Sequence, residues 1–200
     1  MAAVKTNYPD YNVLDRLDEW DSHTREIVRQ RLGPFPALKF FSEREAGLIA
    51  IIARHIIFDD REEIINWVIH HFDSKMAAEI GEDQRKVGTP PEKVLVRDGL
   101  KALDHASRVS GRKDFAALDT DQQFNIISAM QMGNAPEVPD WSHIPQKELF
   151  NKLAAVIVSA YYSHPTVWSE IGYGGPMYPG TYLRVEQGLT DRWEATRDGK

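Results

Sequence analysis

Ser42-Glu43-Arg44-Glu45-Ala46-Gly47-Leu48-Ile49-Ala50-Ile51-Ile52-Ala53-Arg54-His55-Ile56-Ile57 decides the fold class. A serine followed three residues later by glutamate can satisfy two free amides of a helix start reciprocally. Leu48, Ile49, Ile52, Ile56 and Ile57 then recur at the spacing of one helical face. The stretch predicts an amphipathic helix laid on a core.

The same grammar extends in both directions. Asp59, Asp60, Glu62 and Glu63 set negative charge where a second helix begins, which complements its positive dipole end. Ile64, Ile65, Val68, Ile69, Phe72, Met76 and Ile80 mark its apolar face. Thr89-Pro90-Pro91-Glu92 reads as a capping box with proline in the first turn, and Gly111 as the stop of that helix. Thr120 to Gln123 predicts another start, with Gly133 as its stop, and a last helix covers Gln146 to Tyr162, ending before His164-Pro165. Upstream, a helix is expected over Thr24 to Leu32 in an otherwise interrupted arm. Beyond residue 165, Gly172, Gly174, Gly175, Pro176, Pro179 and Gly180 argue against regular structure longer than one turn. No apolar alternation marks a strand. The expected architecture is all-α: one compact bundle-like domain of about five helices, with an arm (1–40), a helical core (41–165) and an irregular Gly/Tyr-rich tail (166–200).

Composition narrows the function. The chain has 200 residues, 42% hydrophobic, with 30 acidic against 24 basic residues and a formal charge of -6. Its Lys and Arg are dispersed, which argues against a phosphate-backbone binder. It has no cysteine, which excludes disulfides, a nucleophilic thiol and a cysteine-held iron–sulfur cluster in this chain. Apolar runs are far shorter than the roughly 20 residues that cross a bilayer, so no direct membrane insertion is expected. No basic-then-apolar leader and no Arg-Arg pair is readable, so the expected compartment is the cytoplasm, or the periplasm by co-export with a partner.

Phosphate loops, Gly-x-Ser-x-Gly and His-Glu-x-x-His are missing. A metal site can be drawn from His55 and Asp59 with His70, His71 and Asp73, but adjacent histidines point about 100° apart on a helix, and half-buried or solvent-facing histidines explain them better. His105 beside Asp104, and Ser163 beside His164, are neighbours in sequence and lack the geometry of a catalytic pair. Glu82, Asp83 and Asp98 read as a solvated face. No catalytic, cofactor-binding or metal-ligating residue is assigned. The anomaly is the aromatic and glycine-rich stretch from Tyr161 to Tyr182. Trp168 and Ile171 are expected to face the core. Tyr161, Tyr162, His164, Trp168, Tyr173, Gly174, Gly175, Pro176, Met177 and Tyr178 are the partner-interface candidates, because Tyr and Trp anchor interfaces. Within them the turn from Gly172 to Pro179 is the preferred contact.

The sequence resembles the gluconate 2-dehydrogenase subunit 3 family. The resemblance rests on Asp10 to Leu14, Thr24 to Val28, Ala53 to Ile57, Gly99 to Asp104 and Phe115 to Leu118. It is most specific at Tyr161-Tyr162-Ser163-His164-Pro165 and Glu170-Ile171-Gly172-Tyr173-Gly174-Gly175-Pro176. It implies a small subunit without activity of its own. Such a subunit stabilises, and assists maturation of, a large FAD-binding dehydrogenase subunit of the glucose–methanol–choline type acting on sugars or polyols. FAD is then expected in the partner and no cofactor in this chain, with a cytochrome c subunit as a possible further partner. The alternatives are an autonomous metal-dependent helical enzyme and a general helical adaptor. That family commonly starts with a twin-arginine export signal, unlike this chain. It often has proline where Phe58 stands, and the change predicts a helix that continues through Phe58.

Overall fold

The computed structural model describes residues 6–78, 86–176 and 194–197. Among them are seven α-helices, three 3-10 turns and no strand, so the all-α expectation holds. The helices are α1 (Ser22–Gln30), α2 (Glu43–Ile57), α3 (Glu62–Ala77), α4 (Glu92–Gly111), α5 (Thr120–Met132), α6 (Gln146–Tyr161) and α7 (Pro165–Ile171). Two compact units form: Pro36–Ala160, and Met1–Phe35 together with Tyr161–Lys200. Residues 36–40 of the expected arm thus go with the helical core, while 6–35 share a unit with the described residues that follow Ala160.

In the Pro36–Ala160 unit, α2 begins with the expected capping box, Ser42 accepting from the Glu45 amide while Glu45 accepts from that of Ser42. Its apolar face joins α3 and α4 in a core that includes Ile49, Ile52, Ile65, Phe72, Leu100, Leu103, Leu149 and Leu153. The helix stops at Ile57. Phe58 does not prolong it but caps it in left-handed backbone (φ 53°), and Asp59 turns the chain by accepting from the Arg61 amide at 3.0 Å. α4 begins at Glu92 with Pro91 as its cap and no side-chain hydrogen bond, so the expected Thr89 box does not form. Nor does Gly111 stop α4. It is the last helical residue, and Arg112 takes the left-handed position (φ 56°). A Cβ on Gly111 would lie 2.6 Å from Leu118 Cδ2, so close packing, not chain reversal, accounts for the glycine. The box at α5 lies one residue earlier than expected, on Asp119 and Gln122, while Gly133 does end that helix. Buried Asp73 on α3 accepts from the amides of Lys39, Phe40 and Phe41 at 2.8 to 2.9 Å, which fixes the segment entering α2.

The other unit is built from a 3-10 turn at Val13–Glu19, α1 and α7, around buried Val13, Trp20, Val28 and Trp168. α1 starts two residues before the expected site because Asp21 caps it, accepting from His23 and Thr24. Thr6 Oγ1 donates to the Glu170 carbonyl at 2.6 Å and Val13 N–H to Ser169 Oγ at 3.1 Å, joining the arm to α7.

Candidate functional site

The Tyr161-to-Pro176 segment is more ordered than its composition suggests. α6 ends at Tyr161, His164 N–H returns to the Tyr161 carbonyl at 3.1 Å, and α7 starts at once. Pro165 sits in the first turn, where its missing amide is harmless, and His164 Nδ1 accepts from the Thr166 amide at 3.2 Å. The expectation of no regular structure longer than one turn is therefore corrected: α6 ends before His164-Pro165 as expected, but the same pair then starts a seven-residue helix. Gly172 closes it at φ 72°, and Tyr173 N–H reaches the Trp168 carbonyl at 2.8 Å, the long bond of a Schellman cap.

His164 and Trp168 are buried. The Trp168 indole donates to the Tyr162 carbonyl at 2.6 Å, and its ring lies 5.0 Å from the Arg31 guanidinium carbon. Arg31 also donates to the Ser163 carbonyl at 2.7 Å. Burial lowers the Arg31 pKa, opposed by Tyr173, yet a guanidinium stays charged at neutral pH. A Cβ on Gly172 would fall 2.6 Å from the Tyr8 ring, and one on Gly175 2.5 Å from the Trp20 ring. Gly172 and Gly175 thus admit the arm's aromatic rings. Gly174 and Pro176 are half-buried, as is Tyr161, whose ring meets that of Tyr162 edge-on at 5.1 Å. Tyr162 (53%), Ile171 (48%) and Tyr173 (41%) are exposed, so Ile171 faces solvent and not the core, while Trp168 is buried as expected. Met177, Tyr178, Pro179 and Gly180, with Ile80, Glu82, Asp83 and Tyr182, lie outside the described residues.

The groups considered for chemistry are engaged elsewhere. His55 Nε2 meets Gln123 Oε1 at 3.1 Å, Asp59 pairs with Arg61 at 2.6 Å, and Asp73 holds its three amides. Burial lowers the His70 pKa, opposed by Asp73, and the His71 ring lies tilted against that of Trp67, 5.3 Å between centroids. Asp104 takes Arg44 and the Phe115 amide. The partner of His105 is Asp140, at 2.7 Å, a contact across 35 residues that no local spacing announces. Hydrogen bonding to His105 holds the Asp140 carboxyl below its ordinary value. Among the described residues no three His, Asp or Glu side chains are grouped to hold a metal, and no helix is long and apolar enough to cross a membrane.

A family model described as gluconate 2-dehydrogenase subunit 3 matches residues 42–175, 134 of the chain's 200 residues. The chain belongs to the gluconate 2-dehydrogenase subunit 3 family. No curated protein and no solved structure matches it. The match starts on Ser42, the cap of α2, and ends on Gly175, where Trp20 packs. It therefore takes in α2 to α7 and leaves α1 and the preceding turn outside. A family named for one subunit of a multi-subunit dehydrogenase implies an accessory role and a partner subunit.

Proposed function

We propose that this chain is the non-catalytic small subunit of a FAD-dependent dehydrogenase of the glucose–methanol–choline type, acting on sugar or polyol hydroxyls, and that it keeps its large partner folded and assists its maturation. FAD belongs to that partner, and electrons leave through a cytochrome c subunit. The observation that carries the reading is the family match from Ser42 to Gly175. It is supported by the use of the polar groups inside that range: His164 caps a helix, Asp73 secures a loop and His55 steadies a glutamine, all of them tasks of architecture.

Co-expression with the flavoprotein subunit of the same genome tests it. The chain purified alone carries no flavin absorbance, the pair co-purifies with FAD, and the flavoprotein expressed without this chain loses soluble yield and activity. A flavoprotein that is fully folded and active on its own would overturn the stabilising role.

A further inference from the structure

Phe58 is the most exposed aromatic side chain among the described residues, at 83% of its accessible surface. It also occupies left-handed backbone, φ 53° and ψ 37°, where its N–H closes α2 on the Arg54 carbonyl. Glycine or asparagine ordinarily takes that position, and a bulky apolar residue there is an outlier. Arg112 shares the conformation but carries a charged guanidinium that water solvates. At Phe58 an unfavourable backbone and an unfavourable exposure coincide, and 83% exposure leaves little packing among the described residues to offset either. Strain retained at an exposed apolar tip points to use by a partner.

The surroundings are rigid. His55, one turn back on α2, is held by Gln123, whose amide in turn donates to the carbonyls of Phe115 (3.3 Å) and Leu118 (3.1 Å). Phe124, next to Gln123 on α5, is 46% exposed, and its ring centroid is 6.3 Å from that of His55. The C-terminal end of α2 thus carries exposed Phe58 three residues beyond His55, and the first half of α5 sets exposed Phe124 against the imidazole that Gln123 holds. Exposed carboxylates border them: Asp60 two residues beyond Phe58, Glu63 in the first turn of α3, and Asp121 one turn before Phe124. The neighbouring Asp59 and Glu62 are spent on Arg61 and Arg54, at 2.6 and 2.8 Å.

We propose that Phe58 and Phe124 anchor this chain to the large dehydrogenase subunit by entering an apolar socket rimmed with Lys or Arg. This rests on the accessory-subunit reading above. Charge selects the occupant. A second copy would bring the same three carboxylates against themselves under a formal charge of -6 per chain, and an anionic lipid surface would repel them as well. A partner with a basic rim is complementary.

The full-length chain and its Phe58→Gly and Asp60→Lys/Glu63→Lys variants are each titrated against the flavoprotein subunit of the same genome, at low and high salt. Glycine suits the left-handed cap, so Phe58→Gly keeps or raises the melting temperature while binding weakens by about tenfold or more. The lysine pair weakens binding and flattens its salt dependence. Wild-type affinity in Phe58→Gly overturns the docking assignment and leaves the accessory-subunit reading standing. Failure of the unmodified chain to bind the flavoprotein overturns both. Self-association that Phe58→Gly abolishes, with flavoprotein binding intact, assigns the patch to a second copy and overturns the proposal.

Discussion

Asp73 shows how one side chain can take the place of an element. Segment 39–41 enters α2 as irregular chain, and its amides have no helix or sheet to pair with. Oδ1 of Asp73 accepts two of them and Oδ2 the third. A buried carboxylate is tolerated because each of those bonds is charge-assisted. Asparagine would turn an NH2 toward amides that need an acceptor. Asp73→Asn is expected to destabilise the chain by about 2–3 kcal/mol, and Asp73→Ala by at least as much, since buried amides are then left unpaired. Urea midpoints at neutral pH measure both, and a loss under about 0.5 kcal/mol would show that water readily takes the place of the carboxylate.

At the scale of helices, Gly99 on α4 sets how closely α6 can approach. A Cβ there would stand 2.5 Å from Leu149 Cδ2, and Leu149 is fully buried, so it has nowhere to move. Gly99→Ala gains up to about 1 kcal/mol of helix propensity but overpacks the contact by about 1–3 kcal/mol, so a net loss of about 1 kcal/mol is expected. Combining it with Leu149→Ala should recover part of the overpacking, which a double-mutant cycle reads as coupling. In the second unit, Trp20→Ala removes the ring seated on Gly175 and should cost about 3 kcal/mol, seen as faster amide exchange in α7. These contacts also show where sequence reading succeeds. Ser42 with Glu45, and the apolar stripe that follows, make α2 legible because cap and period lie within one window. Proline at 165 is ambiguous: the same residue ends one helix and begins the next, and which it does depends on whether His164 can cap. The glycines at 172 and 175 stand out by composition, yet the rings that require them, Tyr8 and Trp20, lie over 150 residues away in sequence. For the same reason His105 and Asp140 meet without any local signal.

Over the whole molecule, acid acts on stability in two stages. Burial makes His70 bind its proton less tightly in the folded chain than in the unfolded one, where the ordinary value is about 6.5. The unfolded state therefore holds more protons once pH falls below that value, and stability declines with acidification from pH 7 toward 5.5. His70→Gln should lessen the fall in urea midpoint over that window, and an unchanged fall would assign it to other groups. The second stage involves carboxylates. Asp114 is held below its ordinary value of 3.8, first by its hydrogen bond to Arg108, and Asp140 is lowered by His105. A depressed carboxylate stabilises the fold above its unfolded pKa and loses that contribution as pH drops through the folded one, so this stage falls below about pH 4. The Asp114 side chain is the more accessible of the two, 45% against 35% for Asp140, and salt should weaken its share more. Acid titrations of Asp114→Asn in low and high salt measure that difference, with the wild-type and variant curves converging as salt rises.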